Sequence, residues 1–172
     1  MKYVIEHAFE GLTPAEYEAL FFDETFNVAL SESMNLGRTL VKLERTPERI
    51  VRHVRCEPKR EPGSAGAKLF GDARAGWLDE LEYDLGKFQG RWRTVPTVMT
   101  DKVKTHGTLE FVAVPNGVKQ RVTGEINVGI FGLGRLVEKT IVAGVEKGYS
   151  AAAQFTAEWV TAEWARKSRP PR

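Results

Sequence analysis

The sequence is poor in cysteine and has no long apolar run. Its one cysteine, Cys56, cannot form an intramolecular disulfide, and it has no neighbours at metal-ligand spacing. No run approaches the roughly 18 apolar residues of a membrane span, and the first residues lack the apolar core of a secretory signal. We therefore expect a protein of the reduced cytoplasm, without a metal ion or a cofactor.

Length and charge limit the organisation further. The 172 residues, 42% of them hydrophobic, suffice for one well-filled core but not for two comfortable domains. We expect a single domain over residues 1–168 and a frayed tail at 169–172. The net charge is only +2, yet residues 6–32 are acidic and residues 38–60 are basic. This asymmetry could steer an anionic partner; charges that pair across a solvated hairpin are the simpler explanation.

Alternating hydrophobicity predicts that most of the chain is β-strand. The clearest strand covers residues 117–130, in which apolar and polar side chains occupy opposite faces. Its apolar face carries Val118, Val122, Ile126, Val128 and Ile130. Further strands are predicted over residues 2–9, 39–45, 49–57, 77–85, 91–98 and 105–114. Residues 58–76, which are rich in glycine and proline, are predicted to be a loop.

Three helices are predicted. Residues 13–16, Thr-Pro-Ala-Glu, form a capping box with proline at the first helical position, and this helix ends near Phe22. A second short helix begins at residue 23 or 24 and ends near Met34, before Asn35. The third helix runs from about Leu133 to Lys167. Its predicted apolar face carries Leu133, Val137, Ile141, Gly144, Gly148, Ala151, Phe155, Trp159 and Ala162.

This order of elements resembles the helix-grip fold of the START-like superfamily, which includes lipid-transfer domains, birch-pollen-allergen-like proteins and polyketide cyclases. The most specific segment is residues 124–138, GEINVGIFGLGRLVE, which is similar to the last strand and helix start of an uncharacterised bacterial branch. The resemblance implies an α+β fold in which a curved antiparallel sheet of about seven strands grips the last helix. It also implies a ligand cavity between them, but no catalytic residue, because the superfamily shares no catalytic motif.

Two glycines inside the last helix give the sharpest functional indication. Gly144 and Gly148 each cost roughly 1 kcal/mol relative to alanine in a helix interior, so their predicted place on the apolar face calls for a reason. One interpretation is a cavity floor beneath an apolar ligand. The alternative is close packing of the helix backbone against bulky strand residues such as Trp92 or Phe111. A large empty cavity would cost on the order of 10 kcal/mol, so a cavity would hold ligand or water.

The glycine turn at residues 132–134 does not predict a dinucleotide site. The third glycine of that fingerprint is replaced by Val137, and no second parallel strand follows the helix. The turn is instead expected to let the chain reverse steeply from strand to helix.

We predict a ligand site between the sheet and the last helix, where Arg52 or His7 fixes the orientation of an apolar ligand. Arg52 lies on an apolar strand face, so its partner is either a carboxylate or phosphate headgroup or Glu44 on the neighbouring strand. The predicted ligand-binding residues are Leu81, Tyr83, Trp92, Phe111, Ile141, Gly144, Gly148, Phe155, Arg52 and His7.

Three functional hypotheses follow. The first is a non-enzymatic protein that binds or transports a lipid, fatty acid or polyketide-like molecule. The second is a cyclase or dehydratase that uses the same cavity, with His7, Tyr83 or Glu138 as acid or base. The third is an interaction module whose basic hairpin, residues 38–60, docks an acidic protein or makes transient contact with an anionic membrane. Nucleic acid is not expected as a partner, because the hairpin lacks interleaved exposed aromatic residues.

Overall fold

The computed structural model describes residues 1–59, 76–98 and 100–167, with side chains up to residue 163. In chain order, the elements of these residues are β1 (Lys2–Glu10), α1 (Pro14–Phe21), α2 (Glu24–Ser33), β2 (Leu36–Arg45), β3 (Arg49–Pro58), β4 (Trp77–Asp84), β5 (Gln89–Pro96), β6 (Val103–Val114), β7 (Gly117–Val128) and α3 (Gly134–Lys167). The predicted loop at 58–76 lies almost wholly outside the described residues, and the predicted tail lies wholly outside them.

Seven strands form one antiparallel sheet in the order β1-β7-β6-β5-β4-β3-β2. Every predicted strand is present, and the ends differ by at most a few residues. The predicted α+β helix-grip architecture is thereby confirmed. None of the helices in the described part of the chain has the length and apolar character needed to cross a membrane.

Side-chain caps fix where the two short helices begin. Thr13 Oγ1 accepts a hydrogen bond from Glu16 N at 3.2 Å, and Thr13 N donates to Glu16 Oε2 at 2.8 Å. These are the two bonds of a capping box. Asp23 Oδ1 accepts from Phe26 N at 2.7 Å and so caps α2. After α2, Asn35 takes a left-handed φ of 55°, as predicted for the end of this helix.

The helices cover two parts of the inner face of the sheet. α3 packs on β7 and β1, α1 packs on β6 and β7, and α2 packs on β2. Val142 of α3, which is 8% exposed, packs in one cluster with Tyr3, Ile126 and Val128. Between the contacts of α3 and α2 lie the inner faces of β3, β4 and β5.

α3 is rotated relative to the prediction. Val142 and Thr156 are buried, and Val145 and Tyr149 are partly buried and pack towards the sheet. Gly144 is exposed, and a Cβ built on it would meet nothing within 4 Å. The predicted burial of Gly144 is therefore wrong. Large side chains bury more apolar surface than a glycine, so the helix turns the valines and the tyrosine inward.

Two paired glycines make room for aromatic rings at the centre of the sheet. Gly107 of β6 pairs with Gly124 of β7. A Cβ on Gly124 would lie 2.2 Å from the ring of Tyr3, and a Cβ on Gly107 would lie 2.7 Å from the ring of Trp92. Both glycines belong to one row of paired residues that crosses the sheet: Tyr3, Gly124, Gly107, Trp92, Leu81, Arg52 and Leu43.

The substitution Gly107→Ala is expected to destabilise the protein by about 1–3 kcal/mol, the usual range for overpacking. The physical reason is that the new Cβ would lie 1.8 Å from the carbonyl oxygen of Thr123, which is backbone and cannot rotate away. Gly144→Ala is the matched control and should stabilise the protein by up to about 1 kcal/mol, because alanine favours a helix. Urea denaturation measures both; equal effects of the two substitutions would contradict the prediction.

Candidate ligand-binding site

Charged side chains lie on the inner faces of β3 and β4. Asp79 of β4 is in phase with the buried residues Leu81 and Tyr83. Arg52 of β3 pairs with Leu81, and the next inward residue of β3, Val54, pairs with Asp79. Arg52 and Asp79 are therefore diagonal neighbours on adjacent strands, within reach of long side chains.

Asp79 is held by two side-chain hydrogen bonds. Its Oδ1 accepts from Thr94 Oγ1 at 2.6 Å, and its Oδ2 accepts from Trp77 Nε1 at 2.9 Å. Burial raises the pKa of the carboxyl, whereas the hydrogen bonds and the positive charge of Arg52 partly oppose that shift. Asp79 is thus a carboxyl group that takes up a proton at a higher pH than an ordinary aspartate.

The guanidinium of Arg52 lies over two aromatic rings of the α1 region. Its Cζ is 4.9 Å from the ring centroid of Phe21 and 5.1 Å from that of Phe22. Nη1 also donates to the carbonyl oxygen of Phe21 at 3.3 Å. Burial and the like charge of Arg38 lower the pKa of Arg52 to about 10. The side chain therefore stays charged at neutral pH.

No carboxylate in the described residues forms an ion pair with Arg52. The predicted alternative partner, Glu44, pairs with Lys42 at 3.1 Å instead. A register shift between Leu40 and Lys42 is the cause, because it places Leu43 opposite Arg52 and moves Glu44 to the other face. The guanidinium thus faces the interior without a carboxylate partner from these residues.

A second arginine and a thiol border the same space. Arg38, opposite Cys56 in the β2–β3 ladder, pairs with Glu24 of α2. Its Nη2 is buried and has no hydrogen-bond partner in the described part of the chain. Burial raises the pKa of Cys56 to about 12, and the charge of Asp79 adds to this shift. The thiol therefore remains protonated and is not a thiolate nucleophile at neutral pH.

The charge of Asp79 also affects the pKa values of two tyrosines, Tyr3 of β1 and Tyr149 of α3. Burial, followed by the charge of Asp79, raises the pKa of Tyr3 to about 12 and also raises that of Tyr149 of α3. Both phenols stay protonated at neutral pH and can donate hydrogen bonds. The site thus combines two guanidinium groups, one carboxyl group and neutral donors.

Inward-facing side chains of this region keep accessible surface. Trp77, Asp79, Trp92, Thr94 and Arg52 are half-buried. By contrast, Tyr83 and Val122, which face the same way nearby, are 0% exposed. The five half-buried side chains therefore keep contact with solvent at the part of the sheet between the α3 and α2 contacts, although Ile50, Leu81 and Tyr83 on the same inner faces are buried.

The structure brings some predicted site residues together. Arg52, Leu81 and Trp92 are consecutive in one row across β3, β4 and β5. Tyr83 and Phe111 instead belong to an aromatic cluster, with ring centroids 5.6 Å apart. Tyr83 also lies 4.9 Å from the ring of Phe22. Tyr83 and Phe111 are therefore part of the packed core next to the site.

Other predicted site residues lie elsewhere. Gly144, Gly148 and Phe155 line a groove of about 410 Å³ between α3 and Met34 at the end of α2. This groove is on the outer side of α3. Ile141, about one helical turn before Gly144, packs instead in the cluster of Val142.

The three acid–base candidates are not brought together. Glu138 Oε1 accepts from Val128 N at 3.0 Å, which lowers its pKa, and Oε2 lies 3.4 Å from the amino group of Met1. His7 faces inward opposite Gln120, on a strand separated from Tyr83 by three others. At about 4.8 Å per strand step, His7 and Tyr83 are roughly 19 Å apart along the sheet. Glu138 therefore has a structural role: it links α3 to β7 and to the amino group of Met1, and it does not lie with His7 or Tyr83.

The basic hairpin is less cationic than its composition suggests. Arg38 and Arg52 point inward, and Arg49 forms an ion pair with Glu82 of β4. Lys42 is paired with Glu44. Of these ion pairs, only Arg49–Glu82 joins two strands, so the expected pairing of charges across strands holds for one of the basic residues named.

Sequence reasoning missed the residues that hold the polar cluster together: Trp77, Asp79, Thr94, Arg38 and Tyr149. One signal was available for Asp79. It alternates with Glu80 and is in phase with Leu81 and Tyr83, so a carboxylate occurs on the apolar face of the strand.

Solved structures confirm the fold. Protein TTHA0849 from Thermus thermophilus superposes with a TM-score of 0.65 at 18% identity, covering 95% of this chain and 99% of that one. Ara h 8.0201 gives a TM-score of 0.61 at 12% identity, covering 90% and 96%. The Zhui aromatase/cyclase from Streptomyces sp. R1128 gives 0.58 at 13% identity, covering 98% and 97%. The protein therefore has the helix-grip fold of these structures, and at these identities the likeness concerns the fold alone.

The family follows from the sequence. Residues 13–160 match the model of the family described as Protein of unknown function (DUF2505), and the chain belongs to this family. Comparison with curated protein sequences finds no match.

The raised pKa of Asp79 predicts a pH-dependent stability. Between the ordinary aspartate value and the higher folded-state value, the folded protein keeps a proton that the unfolded chain releases. Stability is therefore expected to fall as the pH rises through that window. Asp79→Asn should remove this component, because an amide does not titrate and Thr94 can still bond to it. Urea denaturation across pH, together with a carboxyl NMR titration, measures the effect; an Asp79 that titrates at or below the ordinary value would contradict it.

Proposed function

We propose that this protein binds an apolar small molecule with an acidic group, such as a fatty acid or a polyketide-like compound. The site is the space between the inner faces of β3–β5 and α3. The observation that carries the proposal is Arg52, a charged and half-buried guanidinium that forms no ion pair with a carboxylate of the described residues.

The energetics of Arg52 favour an anionic ligand. An arginine has five N–H donors, and the described residues accept one hydrogen bond from it. Taking a charge out of water is costly unless the charge is paired. A ligand carboxylate would pair bidentately with the guanidinium. Nη2 of Arg38, which has no partner among the described residues, supplies a further donor.

The surroundings favour an apolar ligand body. Leu81 and Trp92 continue the row of Arg52 across the sheet, and Phe21 and Phe22 flank the guanidinium. Apolar ligand surface buried against these side chains contributes about 25 cal/mol per Å² before the costs of association. Small-molecule sites are usually lined by apolar side chains with a few polar groups among them.

The fold comparison supports the same class of ligand. One solved structure with this fold is named as an aromatase/cyclase, and the START-like superfamily that the sequence resembles includes lipid-transfer domains and polyketide cyclases. Both observations support a protein that accommodates an organic molecule inside the helix grip.

Binding of 9-anthracenecarboxylic acid, measured by isothermal titration calorimetry, tests the proposal. We expect saturable binding, and Arg52→Gln should weaken it at least about tenfold, because hydrogen bonds to charged groups contribute about 1.5–3 kcal/mol. The neutral analogue 9-anthracenemethanol should bind more weakly than the acid and should be insensitive to Arg52→Gln. Arg49→Gln is the matched control, since Arg49 lies on the same strand but pairs with Glu82 at the surface.

Two results would contradict the proposal. One is the absence of saturable binding for this acid and for a panel of fatty acids, together with no ligand in native mass spectra of the purified protein. The other is equal weakening by Arg52→Gln and Arg49→Gln.

A second candidate function is acid–base catalysis of ring closure or dehydration in the same space. Asp79 favours it, because burial raises the pKa of this carboxyl, and a carboxyl near protonated phenols can remove and return a proton. The residue assigned here differs from the three acid–base candidates of the sequence.

Exchange of an activated carbon-bound proton tests this second function. If Asp79 acts as a base, the protein should accelerate deuterium uptake into the central CH₂ of a 1,3-diketone, followed by NMR, and Asp79→Asn should abolish the acceleration. Glu82→Gln, on the outer face of the same strand, is the control. Exchange no faster than in buffer would overturn the enzymatic function and leave the binding function standing.

A further inference from the structure

Three large apolar side chains are exposed at the connection between β7 and α3. Phe131 is 105% exposed relative to its reference, Leu136 is 63% exposed and Leu133 is 55% exposed. We call residues 130–136 the apolar tip. Clusters of this kind on a surface mark contact with another molecule more often than single exposed apolar residues do.

Part of the backbone of the apolar tip is hydrogen-bonded internally. Gly134 N donates to Ile130 O at 2.9 Å, Leu136 N donates to Leu133 O at 3.0 Å, and Val137 N donates to Leu133 O at 3.1 Å. Gly132 takes a φ of 74°, which closes the turn. Because these N–H groups have internal partners, they stay hydrogen-bonded when the apolar side chains enter an apolar layer.

Exposed cations surround these apolar side chains. Arg135 and Lys139 follow on the first turns of α3, and Lys102 lies beside the tip because its carbonyl oxygen accepts from Gly129 N at 2.8 Å. In the described segments 100–102 and 129–139, the acidic residues are Asp101 and Glu138. Glu138 already accepts from Val128 N and lies next to the amino group of Met1.

We propose that the apolar tip docks onto an anionic phospholipid membrane. Stable binding to a membrane surface needs two contributions. Apolar side chains enter the boundary between headgroups and acyl chains, and cations bind the anionic headgroups. A second copy of the chain fits less well. Three protruding side chains offer at most a few hundred Å², whereas a stable dimer buries about 800 Å² per partner.

The apolar tip and the Trp77 end of the proposed ligand site lie at the same end of the sheet. It follows Val128, at the end of the sheet where Val103 pairs with Val128 and where Trp77 pairs with Cys56 and Pro96. Docking through the tip would turn the Trp77 end of the site towards the membrane. The docking itself needs no ligand, so its failure and the failure of ligand binding are separate results.

Co-sedimentation of the full chain with vesicles tests the proposal. We expect binding to phosphatidylcholine vesicles that contain about 30 mole per cent phosphatidylserine, which gives a negative surface potential, and little binding to phosphatidylcholine alone. The triple substitution Phe131→Ser, Leu133→Ser, Leu136→Ser should weaken binding at least about tenfold. Its control replaces the exposed Val4, Val41 and Val112 by serine and should bind like the parent chain.

The charge contribution is tested in the same assay. Arg135→Gln with Lys139→Gln should weaken binding roughly fivefold per cation at low salt, and added salt should weaken binding of the parent chain. Lys87→Gln with Arg91→Gln, two exposed cations elsewhere, is the control. Far-ultraviolet circular dichroism checks that each variant is folded, and Phe131→Ser alone replaces the triple variant if that variant is not.

Three outcomes would overturn the proposal. The first is the absence of binding to the anionic vesicles at low salt. The second is equal binding by the tip variant and its control. The third is self-association in sedimentation velocity that Phe131→Ser abolishes while vesicle binding is unchanged, which would identify the tip as an interface between copies of the chain.

Discussion

The position of α3 over one side of the sheet is the constraint on which the rest of the structure depends. Val142, Val145 and Tyr149 turn towards β1 and β7, where Tyr3, Ile126 and Val128 bury them. α2 covers β2 at the other edge. Between these contacts, Leu81 and Tyr83 of β4 are buried, whereas Arg52, Asp79 and Thr94 keep part of their surface accessible. The polar cluster of the molecule is tolerated at this place because accessible space borders it.

The acidic and the basic members of that cluster differ in how many hydrogen-bond partners they have among the described residues. Asp79 has two hydrogen-bond donors and a raised pKa, whereas Arg52 has aromatic faces and one carbonyl oxygen. Arg38 pairs with Glu24, and its Nη2 has no hydrogen-bond partner among the residues that the structure describes. Among the described residues, hydrogen-bond donors thus outnumber acceptors where β2, β3 and α2 meet, and this surplus is the basis for proposing an anionic ligand there.

Much of the fold could be predicted because its rules are local. Strands such as β7 follow a period of two, and the start of α1 follows the capping box of Thr13 and Glu16. The rotation of α3 was predicted wrongly, because small residues such as Gly144 and Ala151 were counted with the apolar face although they bury little surface. The face of Arg52 was correct, but its suggested partner Glu44 was wrong, since a one-residue register shift in β2 cannot be seen in the alternation.

The site itself could be predicted less well than the fold. Asp79 stands out in phase with Leu81, yet its bonds to Thr94 and Trp77, and its influence on Tyr149, depend on strand register and on how α3 crosses the sheet. Such long-range placement is set by the packing of the whole sheet, which no single stretch of sequence encodes.

The register shift between Leu40 and Lys42 has one more consequence. β2 is an outermost strand of the sheet, and its solvent side offers main-chain donors and acceptors to any passing extended chain. Leu40, Val41 and Leu43 are exposed there, which is a composition that favours amyloid-like stacking. The irregularity interrupts the flat ladder that such stacking requires, and the charges of Lys42 and Arg45 oppose it further, so this strand carries its own protection against aggregation.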